Sequence, residues 1–373
     1  MKAILLQENF SKALFIASKF TPLRAQLPIL SNFFLEAKEG QILIYATNLE
    51  SGIKIGVPAK IEKEGKVIVP AKTLTELVAG LPNDKVALEF LEKKLEINCL
   101  QHKASLNVFV GQDFPAFPQG NKKKEIVIGK DVLKEVSKKV VFAASSDETR
   151  PTLTGILISL GENAITFVAT DGFRLSLMSS KAPYVKKEET TTTLLLPAKI
   201  LQELNKTVSD TEAEEGVNLE ILAESNQVIF SSGDITLFSR IIEGKFPPYE
   251  KILPKEFVVK AEVDRESLLE SVKIASIFAR DAGNILKIKI EKKALKISAN
   301  APQTGENTNE VEALTEGDSV EVAVNSRYLL ELLNNIDFEQ LGLRLAGPLS
   351  PVVFTEKGKE DFLHIIMPVR VQG

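Results

Sequence analysis

A repeat at the length of a small domain constrains this chain more than any other feature. Three segments align position by position: Val67-Ile68-Val69-Pro70-Ala71-Lys72-Thr73-Leu74, Leu194-Leu195-Leu196-Pro197-Ala198-Lys199-Ile200-Leu201 and Val322-Ala323-Val324-Asn325-Ser326-Arg327-Tyr328-Leu329. Pro70 and Pro197 lie 127 positions apart, and Pro197 and Asn325 128. That period is too long for a solenoid and matches a domain. Each segment reads as a short strand, a turn and a helix, with proline suited to the first helical position because its missing N–H costs nothing there.

The rest of each unit follows in the same order. First helices are expected over about 8–20, 130–145 and 265–280 from apolar spacing. Alternating strand pairs come next: Phe33–Ala37 with Gln41–Ala46, Gly155–Leu160 with Ala164–Ala169, and Ile285–Ile290 with Ala294–Ala299. Their turns, Glu39-Gly40, Gly161-Glu162-Asn163 and Glu291-Lys292-Lys293, fit hairpins. Further strands are expected over 86–91 with 94–100, 217–223 with 226–231, and 341–345 with 351–355. The fold class is therefore α+β: three repeated domains, each with two helices packed on a mostly antiparallel sheet. Linkers around Phe117-Pro118-Gln119-Gly120-Asn121 and Leu253-Pro254-Lys255 give domains over 1–121, 122–253 and 254–373.

Chemistry is limited by what the chain lacks. Two histidines, His102 and His364, and one cysteine, Cys99, fall at no metal-ligand spacing and form no nucleophile–base pair. No Gly-rich phosphate loop occurs. Asp171, in Ala169-Thr170-Asp171-Gly172-Phe173-Arg174-Leu175, reads as the corner of a β-turn rather than as an acid. An enzyme would need clustered acids on loops at strand ends, and the repeat supplies none consistently. No metal and no cofactor are expected. A lone cysteine fits a reducing cytoplasm, and no apolar run reaches the roughly 20 residues of a membrane helix.

The cations point elsewhere. Net charge is −4, so any nucleic-acid surface must be a local concentration of cations on an acidic body. One position is basic in all three repeats, at Lys72, Lys199 and Arg327, close to a helix start where the macrodipole disfavours a cation. The first helices add Lys12 with Lys19, the stripe Lys130, Lys134 and Lys138, and Lys273 with Arg280. Opposite the middle stripe, Val132, Val136 and Val140 mark the face expected to pack inward. A solvated face is the ordinary explanation of any one stripe. A partner with closely spaced negative charge, such as a DNA backbone, suits all of them. A scaffold of three repeats without DNA is the alternative, and the shared cation speaks against it.

Leu27-Pro28-Ile29-Leu30-Ser31-Asn32, Ala169–Leu175, Gly244-Lys245-Phe246-Pro247-Pro248-Tyr249 with Leu253-Pro254, and Ile366-Met367-Pro368-Val369-Arg370 carry a family resemblance. In this order, across the whole chain, they resemble the bacterial sliding clamp, the β subunit of the replicative DNA polymerase III holoenzyme. The resemblance implies a DNA clamp fold and a head-to-tail homodimer closed into a ring around duplex DNA. Its partners would be the replicative DNA polymerase, the clamp loader and other clamp-binding-motif proteins, with no membrane and no catalysis. DNA contacts map onto Arg24, Lys72, Arg150 and Lys199. A partner-peptide pocket maps onto Leu153, Thr170, Gly172, Arg174, Leu175, Pro247, Ile252, Met367, Pro368, Val369 and Arg370. The dimer interface maps onto Leu106, Ile277 and Phe278. Two positions depart from the pattern: Phe173 stands where many relatives carry histidine, and Val371-Gln372-Gly373 extend past Arg370.

Overall fold

The computed structural model describes residues 1–22, 27–109, 113–120, 122–161, 164–181, 192–209, 216–222 and 225–370. Arg24 and Val371-Gln372-Gly373 lie outside the described residues, as do Glu162 and Asn163 of one expected hairpin turn. Among the described residues there are six α-helices: α1 Gln7–Ser18, α2 Ala71–Ala79, α3 Lys130–Lys139, α4 Ala198–Ser209, α5 Arg265–Ala279 and α6 Ser326–Asn335. None of them is long and apolar enough to cross a membrane. The chain divides into two compact units, Met1–Lys130 with Glu203–Ile241, and Asp131–Gln202 with Ile242–Gly373.

The first unit holds two sheets, antiparallel at each strand pairing among the described residues. The smaller has five strands in the order Lys60–Lys63, Lys2–Leu6, Lys85–Leu91, Lys94–Cys99 and His102–Asn107. The larger has eight, running from Lys122–Ile128 through Val217–Leu222, Gln227–Ser232, Ile235–Arg240, Ser51–Pro58, Gln41–Thr47 and Asn32–Lys38 to Gly65–Pro70. Its Asn32–Lys38/Gln41–Thr47 hairpin closes through Glu39 at φ 53° and Gly40 at φ 78°. Two successive left-handed residues make the turn whose twist matches the strands. Phe10, Ala13, Leu14 and Ala17 form the buried stripe of α1, at the spacing of one helical face. The buried Gln7 amide donates to the Val78 carbonyl at 2.7 Å, tying α1 to α2.

The second unit is built on twelve strands. Their order is Thr192–Pro197, Gly155–Leu160, Ala164–Thr170, Arg174–Lys181, Phe362–Ile366, Val352–Glu356, Gln340–Leu345, Val259–Asp264, Gly305–Gly317, Ala294–Ala301, Ile285–Glu291 and Val320–Asn325. Helix α5 buries Leu268, Leu269, Val272, Ala275 and Ala279. These pack with Leu329, Leu332 and Leu333 of α6 in one core cluster that also holds Phe354 and Phe362. Asp264 caps α5 by accepting the Ser267 N–H at 2.8 Å.

Several expectations need correction. No turn separates strand from helix in the repeated segment: Pro70 is the last strand residue and the cap of α2, not its first helical residue. The fixed φ of Pro70, −57°, sets the chain into the helix, whereas Asn325 does so by accepting the Arg327 N–H at 2.9 Å. Helix α3 stops at Lys139 rather than near 145, and Val141–Ala143 continues as one 3-10 turn. Its inward face is Leu133, Val136 and Val140, with Val132 only half-buried, because the real spacing is three and four residues. The stretch around Phe117 has no strand or helix of its own over 113–120, and the Phe117 ring packs against the buried Leu222, Ile229 and Phe238.

Candidate functional site

In the second unit, a tight turn joins Ala164–Thr170 to Arg174–Lys181, held by its own first side chains. Thr170 Oγ1 donates to the Arg174 carbonyl at 2.6 Å and accepts the Gly172 N–H at 3.0 Å. Asp171 Oδ1 accepts the N–H groups of Phe173 at 2.8 Å and Arg174 at 3.0 Å. Asp171 is thus the turn residue expected of it. Gly172 sits at φ 93°, which glycine adopts without strain, and a Cβ there would lie 3.6 Å from Nη1 of Arg150.

Arg174 is 7% exposed. Its Nε donates to Asp171 at 3.1 Å and its Nη2 to the Phe142 carbonyl at 2.8 Å. Nη1 lies 2.6 Å from the Glu331 carboxylate, a charge contact whose angle does not make a hydrogen bond. The guanidinium lies over the Tyr328 ring at 4.7 Å, and the Phe173 ring stacks on Tyr328 at 6.4 Å. Burial raises the Tyr328 hydroxyl above its ordinary pKa, and Asp171 adds to the effect.

Leu175 is buried in an apolar cluster with Val168, Val353 and Ile365. Met367 packs against it half-buried, as do Phe246, Tyr249 and Leu253 from the connecting segment. The Met367 N–H donates to the Phe173 carbonyl at 2.8 Å and the Val369 N–H to the Ala323 carbonyl at 2.8 Å, which fixes the terminal strand beside the turn. Leu153 is buried at the end of a 3-10 turn beginning at Pro151. Ile252 is 39% exposed, and Pro247 and Arg370 are exposed too, while Pro368 is half-buried. Leu175 and Met367 therefore meet in one cluster, with Thr170, Gly172 and Arg174 in the turn beside it. Four residues that the sequence does not single out complete it: Leu177, Phe257, Tyr328 and Glu331. Phe246 and Tyr249 lie within a segment that carries the family resemblance, so their aromatic character is the available signal.

Beneath Leu175 lies His364, fully buried and directly opposite Ser176 across the strand pair. Its Nδ1 and the Ser176 hydroxyl share a 2.6 Å hydrogen bond, and its ring stacks on Phe142 at 5.4 Å. Nε2 has no hydrogen-bond partner among the described residues. Burial, aided by the Arg174 charge, pushes the imidazole down to about 3. Cys99 is also buried, and that burial raises its thiol pKa. Among the described residues no group of three His, Cys, Asp or Glu side chains is placed to hold a metal.

The cations divide into free and tied. Lys72, Lys199 and Arg327 are each the second residue of a helix, and all three are exposed. Lys72 reaches only a 4.0 Å contact with Glu76. Arg150 donates Nε to Asp147 at 3.2 Å, with both side chains about half-exposed. Lys138, counted on the α3 stripe, is tied to Asp337 at 2.9 Å, and that hydrogen bond raises its pKa. Lys139 is buried against Glu135 and over the Phe338 ring at 4.7 Å. A hollow of about 510 Å³ beside it, lined by Glu135, Asp337, Glu356 and Lys357 among others, carries charges of both signs.

Leu106 is half-buried on His102–Asn107, the edge strand of the five-stranded sheet. In the other unit Ile277 is 54% exposed on α5, while Phe278 is half-buried against that unit's core. The Gly305–Gly317 strand pairs with Ala294–Ala301 from Gly305 to Glu312 and with Val259–Asp264 from Ala313 to Gly317.

Comparison with known proteins gives one answer along the whole chain. Residues 1–118, 127–248 and 250–370 match the N-terminal, central and C-terminal domains of the DNA polymerase III beta subunit. A beta sliding clamp of Staphylococcus aureus is 29% identical over 358 residues, covering 93% of each chain. The crystal structure of a DNA polymerase III beta subunit from Thermotoga maritima is 27% identical, covers all of both chains and superposes with a TM-score of 0.92. A DNA polymerase sliding clamp from Pseudomonas aeruginosa, crystallised with a ligand, does so at 26% identity and the same TM-score. With three matched domains in sequence and the same fold throughout, the chain belongs to the DNA polymerase III beta subunit family, the bacterial DNA sliding clamps.

Proposed function

We propose that two copies of this sliding clamp close head to tail into a ring around duplex DNA and tether the replicative polymerase and other DNA-processing proteins to it. The observation that carries this is the exposed cation at one register of three successive repeats, Lys72, Lys199 and Arg327, on a chain of net charge −4. Cations that recur with the fold, rather than with local sequence, suit a ligand whose own charge recurs. Phosphate contacts of this kind position DNA without reading its sequence, so the ring slides. Arg24 and Arg150 join them in the proposal. The domains run over 1–121, 122–253 and 254–373, the protein works in the cytoplasm, and it holds DNA without catalysing a reaction.

The dimer contact joins Leu106 on its edge strand to the Ile277–Phe278 end of α5 in a second copy. An edge strand offers unpaired backbone groups, and an exposed isoleucine offers apolar area beside them. The Leu175–Met367 cluster, with Leu153, Pro247, Ile252 and the Pro368-Val369-Arg370 segment around it, is the docking groove for short partner peptides. A half-buried methionine adapts to different apolar side chains, which fits one groove serving the polymerase, the clamp loader and other clients.

Retention on DNA tests the ring. The protein is placed on nicked circular DNA by an ATP-driven loader and washed at high salt, then the circle is cut. Encirclement holds the protein through the wash and releases it on linearisation, because surface charge contacts alone are lost in salt. Equal retention on linear and circular DNA would overturn it.

A further inference from the structure

One aromatic ring stands in the open on the first helix. Helix α1 buries Phe10, Ala13, Leu14 and Ala17, while the stripe Glu8, Lys12, Phe15 and Lys19 is exposed. The stripe's positions are four, three and four residues apart, so they line up along one side of the helix. Phe15 is 58% exposed, and Nζ of Lys19 lies over its ring at 4.3 Å. A single exposed apolar side chain is ordinary on a protein surface. A ring with a lysine on the turn before it and another on the turn after it combines flat apolar area with positive charge.

The second helix adds to the same side. Helices α1 and α2 touch each other, α1 lying on the Gln41–Thr47 and Ser51–Pro58 strands and α2 on Asn32–Lys38 and Gly65–Pro70. Those four strands are neighbours in one sheet, so the helices lie side by side on one of its faces and turn their outer surfaces the same way. Lys72 belongs to that outer surface, its side chain 88% exposed and Glu76 at 4.0 Å.

Cations of this kind select phosphate, and the ring says what the phosphates carry. In a duplex the bases are stacked on one another, and only their edges reach the grooves. An unpaired base offers its π-face and stacks on an aromatic side chain whatever its identity. From Lys12 to Lys19 the helix rises about 10 Å, the length of about three stacked nucleotides at about 3.4 Å each. The two lysines therefore meet phosphates on either side of a base held by Phe15. The feature belongs to the first repeat alone among the first helices: α3 has no aromatic residue, and that of α5, Phe278, is half-buried.

We propose that Lys12, Phe15 and Lys19 form a site for single-stranded DNA, with one unpaired base stacked on Phe15 and its flanking phosphates on the two lysines. The site needs neither a closed ring nor a loaded duplex, so its test stands apart from the encirclement assay. Unloaded full-length wild type, F15A, F15W and the double variant K12Q/K19Q are titrated at low salt with a short labelled oligothymidylate and with an abasic strand of the same length. Wild type should prefer the strand with bases. F15A should bind that strand at least fivefold more weakly, the low end of what one base–aromatic stack contributes, and the abasic strand as wild type does. F15W should keep the preference, and K12Q/K19Q should weaken both strands and flatten the salt dependence. Wild type binding the two strands alike, or F15A matching wild type on oligothymidylate, overturns the site. Light scattering on F15A covers the other occupant, a second copy of the chain: a dimer lost with Phe15 assigns the ring to a protein contact and overturns the DNA site as well.

Discussion

His364, buried beneath the Leu175–Met367 cluster, makes the fold sensitive to acid, and the size of the effect can be worked out. The imidazole is fully buried, and burial holds its pKa at about 3 against an ordinary 6.5. A second ring proton would find no acceptor at Nε2 among the described residues. Below pH 6.5 the unfolded chain takes up a proton that the folded chain refuses, so stability falls as the pH falls and levels off only below about 3. The loss is about 2 kcal/mol by pH 5 and about 3 kcal/mol by pH 4, at about 1.4 kcal/mol per pKa unit. His364→Gln cannot be protonated and lacks this loss, while the carboxylates it shares with the wild type lose stability equally in both. Urea unfolding at pH 7 and pH 5 reads the difference: the wild type should lose about 2 kcal/mol more than the variant. A local readout is the His364 ring-proton resonance, assigned against a His102→Gln chain. It should hold its position from pH 7 to pH 4. Equal losses in the two chains, or a His364 midpoint above pH 5, would refute the reasoning.

Two substitutions test the proposed surfaces. Met367→Ala removes part of the groove wall and should weaken a polymerase-tail peptide about tenfold, since losing that much apolar contact costs on the order of 1–2 kcal/mol. Anisotropy reads the affinity, and a lowered melting temperature with unchanged affinity would put Met367 in the chain's own core instead. Ile277→Asp should yield monomers in light scattering, whereas Phe278, half-buried against its own core, is better left intact. An intact dimer would remove Ile277 from the interface.

The strand–helix segment at Pro70, Pro197 and Asn325 is legible because strands and helices impose periods that survive sequence change. The hairpins are equally plain, Glu39-Gly40 above all. The strands at 51–58 and 235–240 escape such a reading because they are buried on both faces over most of their length and show little alternation. The end of α3 misleads because Val140-Val141-Phe142 continues the apolar spacing past the point where the backbone tightens. For the groove, Leu175 and Met367 lie far apart in sequence, and family likeness alone connects them there. The pairing of Arg174–Lys181 with Phe362–Ile366 that joins them is a long-range ladder with no local signature. The prolines around Phe117 suggest a linker, which describes its backbone correctly and says nothing of its ring.

The ladders that cross from one repeat to the next limit how the molecule can be dissected. Ser51–Pro58 of the first repeat is zipped to Ile235–Arg240 of the second, and Arg174–Lys181 of the second to Phe362–Ile366 of the third. A fragment trimmed at a repeat boundary therefore ends not at a hinge but at a torn seam, with a row of bare amide and carbonyl groups along its flank. Such a flank recruits any extended chain it meets. Single repeats excised for structural or inhibitor work should aggregate unless the neighbouring strand is grafted on as a covering splint.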